Sequence, residues 1–326
     1  MPRNPKLFIH GEVKYITFRA VEGLPLLCTP FMRLIIASNL AKAQKHYPVA
    51  ISDFMTMGNH VHMALRVIDP ACVDTFIRYF KTESAHMINR LMGRRKGKVW
   101  EEGYDSPTIL TFESLVEKVS YIYTNPQRAN LVDTIEQYPN FSSWSVLVKG
   151  GKMVIEVPYI KRTDIEPLPK VAMSPRMIRE YTKALRAKST KTVSLVIEPD
   201  ACFKALGSEE TTFSEYRQKV MRRVREIEDD CRRARGNKKV LGAKALKLQS
   251  IFKKHTPKKH GRRMICISSD VVIRKEYITR FKAMVKWCRE VYAKWCKGNR
   301  SIPYPPGFFP PGMRPQASLL PAAFWY

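Results

Sequence analysis

The residues in this chain whose types and spacing could do chemistry are a histidine pair and, further along, a tyrosine with an asparagine one helical turn later. The pair sits in Gly58-Asn59-His60-Val61-His62. Side chains alternate along a strand, so His60 and His62 share one face with Ala64 and Arg66, while Val61, Met63, Leu65 and Val67 take the other. Two imidazoles about 7 Å apart along a strand can ligate one divalent metal. Seven histidines in 326 residues would give about 0.15 such pairs by chance, so the pair needs company. The stretch 111–125 supplies it. Leu115, Val116, Val119, Ile122 and Tyr123 fall in one arc of a helix, whereas Tyr121 projects about 160° from the centre of that arc and Asn125 about 40° from Tyr121. Tyr123 therefore reads as core, and Tyr121 as unexplained by its own helix's apolar stripe. A sheet face with two histidines and a helix face with Tyr and Asn could form a site in which a metal held by His60, His62 and Asn125 polarises a phosphate for attack by Tyr121. A tyrosine is mostly protonated near neutrality, its ordinary pKa being about 10, so a metal would have to supply the electrostatic activation.

The elements that must position these residues alternate in type. Strand patterns fall near 15–21, 49–57, 60–67 and 107–110, and helical stripes at 31–46, 70–92 and 111–125, which together make a compact α+β unit over 1–148. Gly58-Asn59 is a two-residue linkage suited to a tight antiparallel hairpin. Pro126 should end or kink the last of these helices, leaving Asn125 in its final turn. Beyond residue 148, Thr212 and Glu215 form a capping box ahead of a stripe of Phe213, Tyr216, Val220, Val224, Ile227 and Cys231. A second long helix runs over 270–297, with Tyr277, Phe281, Met284, Cys288, Val291 and Trp295 as its seam. Trp287 and Trp295 could stack bases, but helical spacing assigns them to the core. The segment 303–326 is rich in proline and should run extended, with Phe308 and Phe309 docked on the body.

Composition narrows the class of partner. The chain carries 57 Lys+Arg against 29 Asp+Glu, a formal charge of +28, yet is 44% hydrophobic, which excludes a disordered polyelectrolyte and points to a phosphate-rich partner. The excess is uneven. Residues 1–148 hold 17 basic and 13 acidic side chains (+4), and 149–326 hold 40 and 16 (+24). Half of the total lies in 217–263, where 18 Lys and Arg face Glu226, Glu228, Asp229 and Asp230. With the apolar stripe packed inward, Arg217, Arg222, Arg223, Arg225, Arg232 and Arg233 are expected to stand toward solvent or phosphate, joined by Lys258, Lys259, Arg262 and Arg263 from a loop. The expected organisation is a catalytic domain at 1–148, a basic and mostly helical DNA-binding region at 149–302, and a tail at 303–326. Seven scattered cysteines without a C-x-x-C pair suggest neither a disulfide framework nor a zinc ribbon, and no apolar run is long enough for a membrane span, so a soluble cytoplasmic protein is expected. Glu83 and His86 stand at i, i+3, but without a second such pair they read as a surface pair rather than a dimetal site.

Together the motifs resemble the single-tyrosine HUH transposases, and most closely the REP-associated tyrosine transposases. The resemblance covers about 1–148 and rests on Met1-Pro2-Arg3, Gly58-Asn59-His60-Val61-His62, Trp100 with Gly103-Tyr104-Asp105, the run from Tyr121 through Asn125-Pro126-Gln127-Arg128-Ala129, and Tyr138-Pro139 before Ser142-Ser143. It implies a ferredoxin-like HUH domain around a central antiparallel sheet, with His60, His62 and Asn125 on Mg²⁺ or Mn²⁺ and Tyr121 as nucleophile. The implied reaction is cleavage of single-stranded DNA at a short sequence beside a hairpin, leaving a 5′-phosphotyrosine link and a free 3′-OH, in a bacterial, nucleoid-associated monomer or homodimer. No ATP is required, and no G-x-x-x-x-G-K-[ST] loop is present. The half beyond 148 matches only weakly, at Val240-Leu241-Gly242 and the tail. Two rivals share the fold: a hairpin-binding protein or repressor that does not cleave, and a metal-dependent phosphodiesterase that uses water and makes Tyr121 dispensable.

Overall fold

The computed structural model describes residues 6–26, 28–254 and 263–309. It opens with β1 (Val13–Arg19), α1 (Pro30–His46), β2 (Ala50–Thr56), β3 (His60–Arg66), α2 (Pro70–Leu91) and β4 (Thr108–Ile109). The strands lie side by side in the order β2-β3-β1-β4, each neighbouring pair antiparallel. A β-α-β-β-α-β chain paired in this order is the ferredoxin-like arrangement that the family resemblance implied. Local chemistry starts its helices: Asp69 caps α2 through the amide of Ala71, with Pro70 at the first helical position, where a missing N–H costs nothing. α3 (Phe112–Arg128) follows, capped by Thr111 on the amide of Ser114.

The sheet is a partition between two cores. On one side Ile16, Phe18, Phe54, Val61, Met63 and Leu65 meet Ile35 of α1 and Phe76 and Phe80 of α2. On the other, Val13, Tyr15, Met55 and Ala64 are covered by Leu115, Val119, Ile122 and Tyr123 of α3. Strand alternation therefore gives α1 and α2 one face and reserves the histidine face for the helix that carries Tyr121.

The rest of the chain comprises α4 (Trp144–Lys149), β5 (Met153–Pro158), α5 (Pro175–Lys188), β6 (Thr192–Ile197), α6 (Phe203–Leu206), α7 (Phe213–Arg235), α8 (Ala243–Lys247), β7 (Cys266–Ile267) and α9 (Val271–Cys296). It is built into the same cores. β5 and β6 form an antiparallel pair whose Val157, Val193, Leu195 and Ile197 join the α1 side. α7, opened by the expected Thr212 and Glu215 capping box, lays Tyr216, Val220 and Val224 onto the apolar stripe of α3. β7 pairs in parallel with β4 as a fifth strand of the central sheet.

α9 meets Leu7 and Phe308 through Phe281, Val285 and Cys288, so the expected docking of Phe308 is present. Its seam is narrower than the heptad-like spacing suggested. Trp287, assigned to the core above, is 47% exposed, because among the described residues one face of α9 is packed and Trp287 lies off it. The tail beyond 309 lies outside the described residues. No helix among the described residues is long and apolar enough to cross a membrane.

Candidate active site

The hairpin at residues 58–59 sets the site. Met57 N–H donates to the His60 carbonyl at 2.8 Å, closing the two-residue turn between β2 and β3. Glycine at 58 is needed for space: a Cβ there would stand 2.9 Å from the Cys28 Sγ. Register then places Arg19 of β1 opposite His60 and Thr17 opposite His62, with Met55 of β2 on the other flank of His62.

The two imidazoles meet edge to face with ring centres 4.6 Å apart. Each has its Nδ1 engaged. Asn59 Oδ1 accepts from His60 Nδ1 at 2.6 Å, which fixes the proton on Nδ1 and leaves Nε2 with its lone pair. His62 Nδ1 lies 2.5 Å from the Tyr15 hydroxyl, and its Nε2 is buried with no hydrogen-bond partner. Anchoring one ring nitrogen so that the other is presented is how proteins orient a metal-ligating histidine.

Electrostatics favours the ligating form. Burial, and then the charge of Arg19, lower the pKa of His60 to about 4. Burial holds His62 well below the ordinary value, assisted by His60, Lys118 and Arg19. Both rings are thus neutral near pH 7, as ligation requires. The site fits a divalent metal on these grounds: an orphaned buried Nε2 on His62, the ring of His60 beside it, and a hydrogen-bonded Nδ1 on each imidazole. Among the described residues no group of three or more His, Cys, Asp and Glu gathers anywhere, so further ligands would have to be amide, water or substrate oxygen, the donors that suit Mg²⁺ and Mn²⁺.

Tyr121 faces this pair from α3, its ring centre 5.9 Å from that of His62. Lys118 Nζ lies 4.6 Å from the centre of its ring and the Arg128 guanidinium 5.7 Å. Tyr123, two residues on, points into the core and donates to the Asp53 carboxylate at 2.7 Å; burial and that carboxylate raise its pKa well above the ordinary value. The two tyrosines are therefore separated as their positions on the helix required.

Pro126 neither ends nor breaks the helix, contrary to expectation, for α3 continues to Arg128. A proline at 126 leaves the Ile122 carbonyl without its amide donor. Asn125 Nδ2 donates to that carbonyl at 3.4 Å and to the Tyr121 carbonyl at 2.7 Å, in place of the missing N–H. These bonds turn the amide nitrogen of Asn125 onto its own helix rather than toward either histidine.

Most of the arginines expected to face DNA are bonded within the protein. Arg217 donates to the carbonyls of Leu147 and Val148 at the end of α4. Arg223 binds Glu117 and Glu226, Arg225 binds Glu136 and Glu228, and Arg232 and Arg233 pair with Asp229 and Asp230. Arg263 pairs with Asp105 at 3.2 Å. Arg222 is exposed, and Lys258, Lys259 and Arg262 lie outside the described residues. Glu83, set aside above as a metal ligand, is held by Arg162.

Sequence reasoning missed Tyr15, Lys118 and Arg19 at this site, and Glu228 behind it. Lys118 was within reach, since 118, 121, 125 and 128 follow a three-four-three spacing on one helix face. Tyr15 and Arg19 enter through the pairing of β1 with β3, which no local pattern encodes. Glu228 is buried in the middle of a charged run and accepts from Gln127 Nε2 and the Ile135 amide, tying α7 to the end of α3.

Residues 28–125 match the family model described as Transposase IS200 like, a stretch that contains His60, His62, Tyr121 and Asn125. A solved structure of a REP-associated tyrosine transposase bound to a REP hairpin is similar at 18% identity and a TM-score of 0.40, over 46% of this chain and 86% of that chain. No curated protein sequence matches.

Proposed function

We propose that this protein is a metal-dependent, single-tyrosine transposase of the REP-associated kind, which cleaves and rejoins single-stranded DNA beside a hairpin. Residues 1–148 would hold the chemistry and 149–302 would help to hold the DNA. The observation that carries the reading is the buried, unpartnered Nε2 of His62 beside His60 and facing Tyr121.

His60 and His62, with Asn125 through its amide oxygen, would hold Mg²⁺ or Mn²⁺. Once bound, the metal would supply stabilisation of charge developing on the phosphate oxygens and of the scissile geometry. The chain's own residues do the rest. The Tyr121 oxygen bonds to phosphorus as the bond from phosphorus to the 3′-oxygen breaks; the phenolic proton is lost and the 3′-oxygen gains one, leaving a 5′-phosphotyrosine and a free 3′-OH. One phosphoester replaces another, so the step reverses without ATP. Tyr15 and Asn59 orient the two imidazoles, and Arg19 opposes their protonation.

The test is incubation with a hairpin-bearing single strand and Mn²⁺, followed by a denaturing gel. A covalent protein–DNA adduct that is lost in Tyr121→Phe and kept in Tyr123→Phe is expected. Cleavage that survives Tyr121→Phe would assign the attack to water, and hairpin binding without any cleavage would make the protein a non-cleaving reader; either result overturns the proposal.

A further inference from the structure

Lys118 lies one turn before Tyr121 on α3 and on the same face. Its Nζ is 4.6 Å from the centre of the Tyr121 ring and 4.7 Å from that of Tyr15, the residue whose hydroxyl meets His62 Nδ1. The ammonium is thus bracketed by the two rings that border the histidine pair.

The charge that acts on Lys118 is of its own sign, and the acid that acts on the neighbouring Tyr15, Asp105, is paired with Arg263. Among the described residues no carboxylate pairs with it; burial and the Arg128 guanidinium both lower its pKa. Arg19, across from His60, adds a third cation to the site. A partly buried cation held against other cations is unfavourable unless an anion completes the cluster. Arg128 is exposed, whereas Lys118 is largely withdrawn from solvent and stands on the nucleophile's own ring.

Resting on the reading above, in which Tyr121 attacks a phosphodiester, we propose that Lys118 is a further catalytic residue, whose ammonium binds a nonbridging oxygen of the scissile phosphate. Charge spreads over those oxygens in phosphoryl transfer, and a fixed cation beside them needs no reorganisation as the step proceeds. Lys118 neither gives nor takes a proton: the bond made is from Tyr121 oxygen to phosphorus, and the bond broken is from phosphorus to the 3′-oxygen.

The experiment measures the single-turnover rate of adduct formation at saturating hairpin strand with Mn²⁺, and separately the Kd for that strand in EDTA. Lys118→Gln should lower the saturating rate about 100-fold, the scale of a lost transition-state donor, while the Kd moves by less than about threefold, because the contact strengthens in the transition state. Lys118→Met keeps the aliphatic stem against the two rings and should match Lys118→Gln, which separates charge from packing. Lys118→Arg should recover at least about tenfold of the loss, since it restores the cation with a different reach. A wild-type saturating rate in the Gln or Met variant, a loss confined to Kd, or no recovery in the Arg variant overturns the proposal. An adduct that depends on Tyr121 but ignores Lys118 refutes Lys118 alone, whereas absence of any Tyr121-dependent adduct refutes the underlying reading as well.

Discussion

Asp53 offers a quantitative test of the core that supports Tyr121. It stands on β2 where the pairing with β3 slips between Ile51 and Asp53, and the carboxyl is wholly buried. Oδ1 accepts from Tyr123 at 2.7 Å and Oδ2 from Ser52 at 2.6 Å. Burial raises its pKa from 3.8 to about 6, the two hydrogen bonds offsetting part of the rise. Between those values the folded chain binds more protons than the unfolded chain, so stability is highest below about pH 4 and falls as pH rises through 6. A shift of about two units corresponds to about 3 kcal/mol.

Asp53→Asn removes the titration while keeping the bonds. The amide oxygen still accepts from Tyr123, and the amide nitrogen can donate to Ser52, whose hydroxyl already reaches the Pro199 carbonyl at 3.1 Å. Urea midpoints measured from pH 4 to pH 8 should show the variant gaining about 3 kcal/mol on the wild type across that range. His60 and His62 act in the opposite sense, since their lowered values make stability rise with pH, but they are common to both proteins and cancel in the difference. Parallel curves for the two proteins from pH 4 to pH 8 would refute the reasoning.

Two further outcomes are expected. Tyr15→Phe removes the hydroxyl at His62 Nδ1 and should raise the Mn²⁺ concentration for half-maximal adduct formation about 10- to 100-fold; the rise in Tm on adding Mn²⁺ should shrink with it, and an unchanged metal dependence would remove Tyr15 from the site. Arg222→Gln should reduce the slope of log K against log salt for single-strand binding by about 0.7. Arg223→Gln, whose guanidinium is committed to Glu117 and Glu226, should leave that slope unchanged, and equal slopes for all three proteins would refute a contact from Arg222.

What the sequence revealed was what local periodicity encodes. The α+β alternation follows from the strand and helix patterns, with the ferredoxin-like order implied by the family resemblance, and the separation of Tyr121 from Tyr123 follows from 100° per residue. The capping box at Thr212 is local in the same sense. Contacts across the sheet were not legible. Tyr15 and His62 are 47 positions apart and meet only because β1 pairs with β3 in one particular register. The behaviour of Pro126 was misjudged for a related reason: the rule that proline breaks helices considers the backbone, and here a side chain one residue earlier supplies the donor. β7 is two residues long, too short to carry any pattern, and is a strand only because β4 offers it an edge.

The charge asymmetry has a different meaning in space than along the chain. Arg223 with Glu117, Arg225 with Glu136, Arg235 with Asp133, Lys254 with Glu22 and Arg263 with Asp105 each join a cation from beyond residue 148 to an acid before it. All but the Arg235 pair are exposed, and exposed ion pairs contribute roughly 0–1 kcal/mol each, so they are not the main hold on α7. The apolar seam of Tyr216, Val220 and Val224 is, with Glu228 sealed beneath it. What the pairs change is which cations are left for phosphate. The net charge still attracts a polyanion at long range, but close contact requires a cation with no acid beside it. Among the described residues Lys118, Arg128 and Arg19 meet that condition beside the histidine pair, so under the proposed reading the cations nearest the scissile phosphate would come from the half of the chain that is nearly neutral.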